Sequence, residues 1–90
     1  SERRAYLDDD PLSLTDTEYR LLATLIRHAG KVLTHRFILK EVWGPEYVER
    51  NHYVRVYMAR LREKLSDSSD QTYIVTETGV GYRLRNDAST

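Results

Sequence analysis

The side chains best placed to do chemistry in this 90-residue chain are cations at helical spacing. Arg50, Arg55, Arg60, Arg62 and Lys64 share the segment 50–65 with a single acid, Glu63. Guanidinium groups grip carboxylates and phosphates through paired donors, so such a run captures a polyanion rather than making or breaking bonds. Its plain alternative is a solvated helix face without a partner. Other constellations are weaker. Glu49-x-x-His52 has the spacing of half a di-iron ligand set, but the pair occurs once with no supporting cluster. Gly79-x-Gly81 would suit a phosphate loop only before a helix, and it falls between β-rich segments, where a turn is expected. There is no cysteine, and no nucleophile, base and orienting group occur together. The expectation is no catalytic residue, no metal, no cofactor and no enzyme.

Composition places this chemistry on one ordinary domain. Hydrophobic residues make up 40% and charged residues 31%, with 14 cations balancing 14 acids. The balance hides an asymmetry. Residues 1–18 carry six acids against Arg3 and Arg4, whereas residues 50–65 carry five cations against Glu63. A neutral chain can therefore still hold a polyanion on one element. No apolar run is long enough to span a bilayer and no signal-peptide pattern opens the chain, so the expected location is cytoplasmic, with no membrane partner. The chain begins at Ser1 and is read as part of something longer.

The elements that must position the cations are legible in order. Arg3–Leu7 and Leu12–Leu14 read as two short strands around Asp8-Asp9-Asp10-Pro11. Thr15 and Glu18 form a capping box ahead of Leu21, Leu22, Leu25 and Ile26, with Gly30 as a left-handed cap. Thr34 caps a second helix carrying Phe37, Ile38, Leu39, Val42 and Trp43, which Gly44-Pro45 ends. Residues 45–50 read as a loop. A third helix spans about Asn51–Leu65. Residues 66–71 are a polar loop, Tyr73–Thr76 and Tyr82–Leu84 pair as a hairpin about Thr78–Gly81, and 86–90 read as a frayed tail. The fold class is α+β: short N-terminal antiparallel strands, three helices and a C-terminal hairpin.

On the third helix, Val54, Met58, Leu61 and Leu65 make one apolar stripe about 60° wide. His52 and Val56 point away from it, with Ala59 and Arg60 to either side of that direction. Arg55 and Arg62 share one flank near the core boundary. A small or neutral exposed centre bordered by arginines suits a helix entering a DNA major groove. Followed by a Gly-turned hairpin, it outlines a winged helix-turn-helix. Trp43 and Tyr57 are expected to pack against the core. Tyr53 stands at the edge of the basic face. His28 and His35 lie near helix ends, where solvent or capping suffices.

Four motifs add a family to this reading. Leu14-Thr15-x-x-Glu18-Tyr19-x-Leu21-Leu22, Val42-Trp43-Gly44, Val56-x-x-x-Arg60-Leu61-Arg62-x-Lys64-Leu65 and Thr76-x-x-Gly79-x-Gly81-Tyr82-Arg83 occur in order across residues 12–84. Together they resemble the C-terminal effector domain of OmpR/PhoB-type response regulators. Segments 51–58 and 76–83 are most similar to regulators of a potassium-transport operon.

That resemblance implies a bacterial two-component transcription regulator, with 1–90 as the DNA-binding effector domain, 1–14 the remnant of a four-stranded sheet, and a receiver domain outside this chain. It implies double-stranded DNA at direct repeats as partner, a homodimer in the full-length protein, and a sensor kinase acting through the receiver. Arg60 matches a base- or phosphate-contacting arginine and Arg62 a backbone-contacting one. His52 and Tyr53 match contacting positions at the helix start, Val56 faces the bases, and Thr76 and Tyr82 match wing phosphate contacts. Arg83 and Arg55 complete the DNA-binding candidates. Pro45, Glu46, Tyr47, Val48 and Glu49 match a loop that faces RNA polymerase. The chain departs from some relatives in carrying Thr78 at the wing tip and Ala59 on the helix, where they have basic residues. The competing reading is a winged-helix module that binds an acidic protein.

Overall fold

The computed structural model describes residues 5–7, 10–65 and 73–85. Strand β1 (Ala5–Leu7) pairs antiparallel with β2 (Asp10–Leu12), Leu7 opposite Asp10 and Ala5 opposite Leu12. The second strand thus begins two residues earlier than its apolar residues suggested. The pairing register draws Asp10 and Pro11 into the ladder, and it ends before Leu14. The start of the first expected strand at residues 3–4, the turn residues 8–9, the loop at 66–71 and the tail at 86–90 lie outside the described residues.

Helix α1 (Asp16–Arg27) starts at the expected box. The Glu18 N–H donates to Thr15 Oγ1 at 3.2 Å, and the Thr15 N–H donates to Glu18 Oε1 at 3.0 Å. The helix closes on His28 rather than on Gly30. Gly30 has φ +88°, but its N–H donates at 2.8 Å to Leu84 O in the last strand. A strand carbonyl competes successfully for the donor that a helix cap would use. Thr34 caps α2 (His35–Val42), its Oγ1 accepting from the Phe37 N–H at 3.0 Å. Between the two helices, Val32–Thr34 form a strand, β3, that residue pattern did not reveal. Three residues are too few to show an alternation, and pairing to a distant strand decides their state.

A single 3₁₀ turn (Pro45–Tyr47) joins α2 to α3 (Asn51–Lys64), and β4 (Ile74–Glu77) and β5 (Gly81–Leu84) make the hairpin. The sheet order is β3-β5-β4, all antiparallel, so β5 is central. Leu21, Leu25, Ile38, Leu39, Val54, Met58, Leu61 and Ile74 are buried where the three helices meet this sheet. Each such side chain contributes about 1.5–3 kcal/mol of burial. The stripe Val54, Met58, Leu61 and Leu65 is buried along its whole length, which fixes the rotation of α3 about its axis.

Two contacts outside that core hold the frame. Glu18 is 2% exposed, and Lys64 Nζ at the end of α3 meets its Oε1 at 2.6 Å while also donating to Ser13 O at 2.8 Å. Burial would raise the Glu18 pKa. The Lys64 ammonium and the Thr15 donors outweigh that and hold it below 4.5. The carboxylate therefore stabilises the fold above its unfolded value, and that stability is lost as pH falls through the lower folded value. At the other contact, β5 passes so close to β3 that a Cβ at Gly81 would collide with the Leu33 carbonyl and stand 2.9 Å from the Thr34 Cα.

Glu18→Gln is expected to flatten the acid limb of stability. In urea titrations across pH, its deficit relative to wild type should be constant well above pH 4.5 and shrink below it; a deficit unchanged by acid would contradict the ion pair. Gly81→Ala is expected to cost about 3 kcal/mol by forcing β3 from β5, read from denaturant unfolding.

Candidate nucleic-acid interface

The apolar stripe dictates what α3 shows to solvent. Asn51, His52, Arg55, Val56, Ala59 and Arg60 are all exposed, and none is acidic; Glu63 is the first exposed acid, in the last turn. At 1.5 Å per residue the helix is about 21 Å long, and a major groove is about 12 Å wide. Val56 is 44% exposed at the centre of the face, giving it a short apolar surface that admits close approach.

The arginines of this region do different things. Arg60 stands on one side of the face with its guanidinium 5.0 Å from the centroid of the Tyr57 ring, one turn back. That contact restrains a long side chain that is itself exposed. Arg55 is exposed on the opposite flank. Arg62 lies two turns further along that flank, half-buried against the hairpin. Its Nη2 donates to Ile74 O at 2.9 Å and to Thr76 Oγ1 at 2.6 Å, and its guanidinium lies 5.7 Å from the Tyr82 ring centroid. Arg62 is thus a tie between α3 and β4–β5, a role that its separation of 14 residues from Thr76 kept out of view in the sequence.

Strand alternation sorts the hairpin candidates. Thr76 faces Tyr82 across the ladder, on the side toward α3, with Thr76 exposed and Tyr82 only 7% exposed. The Tyr82 ring packs edge-on to His35 at 5.4 Å. Arg83 points to the other face of the sheet, where its Nε meets Glu77 Oε2 at 3.0 Å. The structure therefore brings Arg62, Thr76 and Tyr82 together and sets Arg83 apart. Thr78 and Gly79 form the exposed tip, closed by the Val80 N–H donating to Glu77 O at 2.9 Å.

At the start of α3 stands an aromatic group. Trp43 is half-buried against the core and meets Tyr57 edge-on at 5.4 Å and Tyr53 at 5.8 Å, as packing residues do. Tyr53 also meets His52 at 4.6 Å and Tyr47 at 6.1 Å. Tyr53 is thereby both a packing residue and a neighbour of the exposed face. Arg50, which the sequence places at the end of the connecting loop and at the head of the cationic run, lies against Tyr47 and Tyr53. The spacing Tyr47, Arg50, Tyr53 was the available signal. In the connecting segment, Pro45, Glu46 and Glu49 are exposed and Tyr47 and Val48 half-buried. Among the described residues no group of three or more His, Cys, Asp or Glu could hold a metal, and no helix is long and apolar enough to cross a membrane.

The model of the family described as "Transcriptional regulatory protein, C terminal" matches residues 9–84. The chain belongs to this family. It is an OmpR/PhoB-type winged-helix DNA-binding domain of the response-regulator class. It is 51% identical over 77 residues to the KDP operon transcriptional regulatory protein KdpE of Escherichia coli K12, covering 84% of this chain and 34% of that protein. It is 44% identical over 83 residues to KdpE of Mycobacterium tuberculosis, covering 91% and 37%. The chain thus spans about a third of the curated relatives' length. Among solved structures it resembles the DNA-binding domain of RstA from Klebsiella pneumoniae in complex with the RstA box, with TM-score 0.82, 30% identity, and coverage of 92% and 83%. The DNA-binding domain of CpxR from E. coli matches with TM-score 0.79 and 32% identity, covering 92% and 82%.

Arg62→Met keeps the side-chain stem but removes both wing hydrogen bonds. The DNA-free domain is expected to lose about 2 kcal/mol, read from denaturant unfolding; unchanged stability would mean that the tie carries no weight.

Proposed function

We propose that this effector domain reads direct-repeat operators in double-stranded DNA with α3 in the major groove. It would do so as part of a cytoplasmic two-component regulator controlling a potassium-transport operon. The observation that carries the DNA reading is the exposed face of α3, cationic and free of acids through its first three turns, backed by a fully buried stripe. Similarity to KdpE of two organisms supports the operon. The RstA domain, solved on its RstA box, supports the class of ligand.

In this reading Arg60, Val56 and His52 meet base edges or the nearest phosphates, and half-buried Tyr53 acts through its neighbours at the helix start. Arg55 reaches a groove wall, and Arg62, Thr76 and Tyr82 present the wing to the backbone. Arg83 contributes through Glu77 to the wing's shape more than to charge. Thr78 cannot deliver a long cation to the minor groove, so the wing adds affinity rather than sequence preference. The segment Pro45–Glu49 faces RNA polymerase; its exposed Glu46 and Glu49 repel phosphate and suit a basic protein surface. The full-length protein would act as a homodimer switched by a sensor kinase through its receiver.

The test is a pair of titrations, on a duplex selected by the domain from random DNA and on its scrambled counterpart. Wild type is expected to prefer the selected duplex and to weaken steeply with salt. Arg60→Ala is expected to cost about 1–3 kcal/mol on the selected duplex and to relax one base position, with little loss on the scrambled one. Absence of binding to either duplex would overturn the DNA reading in favour of an acidic protein partner.

A further inference from the structure

Arg50 has a geometry that its place in a connecting segment does not explain. Its side chain is exposed, yet its guanidinium contacts two tyrosines. Nη1 donates to the Tyr53 hydroxyl at 3.3 Å, and the guanidinium carbon lies 5.6 Å from the Tyr47 ring centroid and 5.9 Å from that of Tyr53. Glu46 and Glu49 are close in sequence, but among the described residues no carboxylate pairs with it. An exposed arginine normally gives up much rotamer freedom to bind an anion. Here two tyrosines already restrict that freedom, and among the described residues one of five N–H donors is used. The platform is itself anchored, because Tyr53 rests on Trp43, which packs on the core.

Position supplies the anion. Tyr53 touches His52, an outward residue in the first turn of the acid-free face of α3. A helix lying in a groove brings phosphates past its first turn, beside the bases it reads. We propose that Arg50 is a DNA-phosphate ligand, preorganised by Tyr47 and Tyr53 at the entrance to the recognition surface. This rests on the DNA reading of α3 and adds a contact that lies outside the helix. Tyr47 belongs to the segment proposed to meet polymerase, so a phosphate bound by Arg50 would also steady that segment.

The experiment titrates wild type, Arg50→Gln, Arg50→Lys, Tyr53→Phe and the Arg50→Gln/Tyr53→Phe double variant on the selected and scrambled duplexes at several salt concentrations. Arg50→Gln is expected to weaken both duplexes by the same factor, about tenfold, and to lower the salt slope by about 0.9, one phosphate's worth. Arg50→Lys should restore the slope but not the full affinity, because a point charge lacks the fork. Tyr53→Phe should cost about two- to threefold alone and nothing further in the Arg50→Gln background. Equal affinity and slope for Arg50→Gln would overturn the proposal, even if transcription fell, since Arg50 would then touch protein. A loss confined to the selected duplex would overturn it in favour of base reading. A Tyr53→Phe cost that persists without Arg50 would overturn the platform. Failure of wild type to bind either duplex would instead be the failure of the DNA reading itself.

Discussion

The domain depends on one constraint: α3 cannot turn about its own axis. Val54, Met58, Leu61 and Leu65 bury a stripe that runs the length of the helix. Rotation by one residue position would lift these side chains out of the core and drive a charged neighbour in. Two cations then fix what the stripe leaves loose. Lys64 ties the last turn to buried Glu18 and to the Ser13 carbonyl ahead of α1. Arg62 ties the same end to β4. The segment preceding α1 and the wing therefore meet at the last turn of the helix whose earlier turns carry the recognition surface.

Because that frame is rigid, identical side chains take unlike roles. Arg62 spends its donors inside the fold. Arg83 is neutralised by Glu77 on the far face of the sheet. Arg50 and Arg60 rest on tyrosine rings, and Arg55 extends from the open flank. Counting cations along the segment 50–65 overstates the charge offered to a partner; their tethering decides it. The zero net charge of the chain poses no obstacle, since Glu18 is withdrawn from solvent and no exposed acid precedes Glu63 on α3.

Local signals were readable where chemistry is local. The Thr15–Glu18 box, the Thr34 cap, the α3 stripe and the Gly79 turn each follow from residues within a few positions of one another, and each formed where the sequence placed it. What the sequence withheld depends on distant pairing. Strand β3 is defined by β5, some 50 residues on, and Gly30 by the carbonyl of Leu84. The N-terminal hairpin shifted because register, not apolar content, sets a ladder. At the candidate interface the helical projection separated Arg60 from Arg62 correctly, but no pattern along the chain could show Arg62 reaching Thr76. The pairing of Arg50 with two tyrosines was visible as an i, i+3 spacing, yet it spans a helix boundary where such spacing carries little meaning without a structure.

The central claim is that the fixed face of α3, together with the wing, is the surface that meets DNA. A titration of the 15N-labelled domain with its selected duplex, followed by amide shifts and exchange, addresses it directly. The account predicts changes concentrated at 51–60 and at the wing around 76–82, with the outer side of α1 unmoved. Changes centred on α1 or on the outer face of the sheet, with α3 silent, would contradict it.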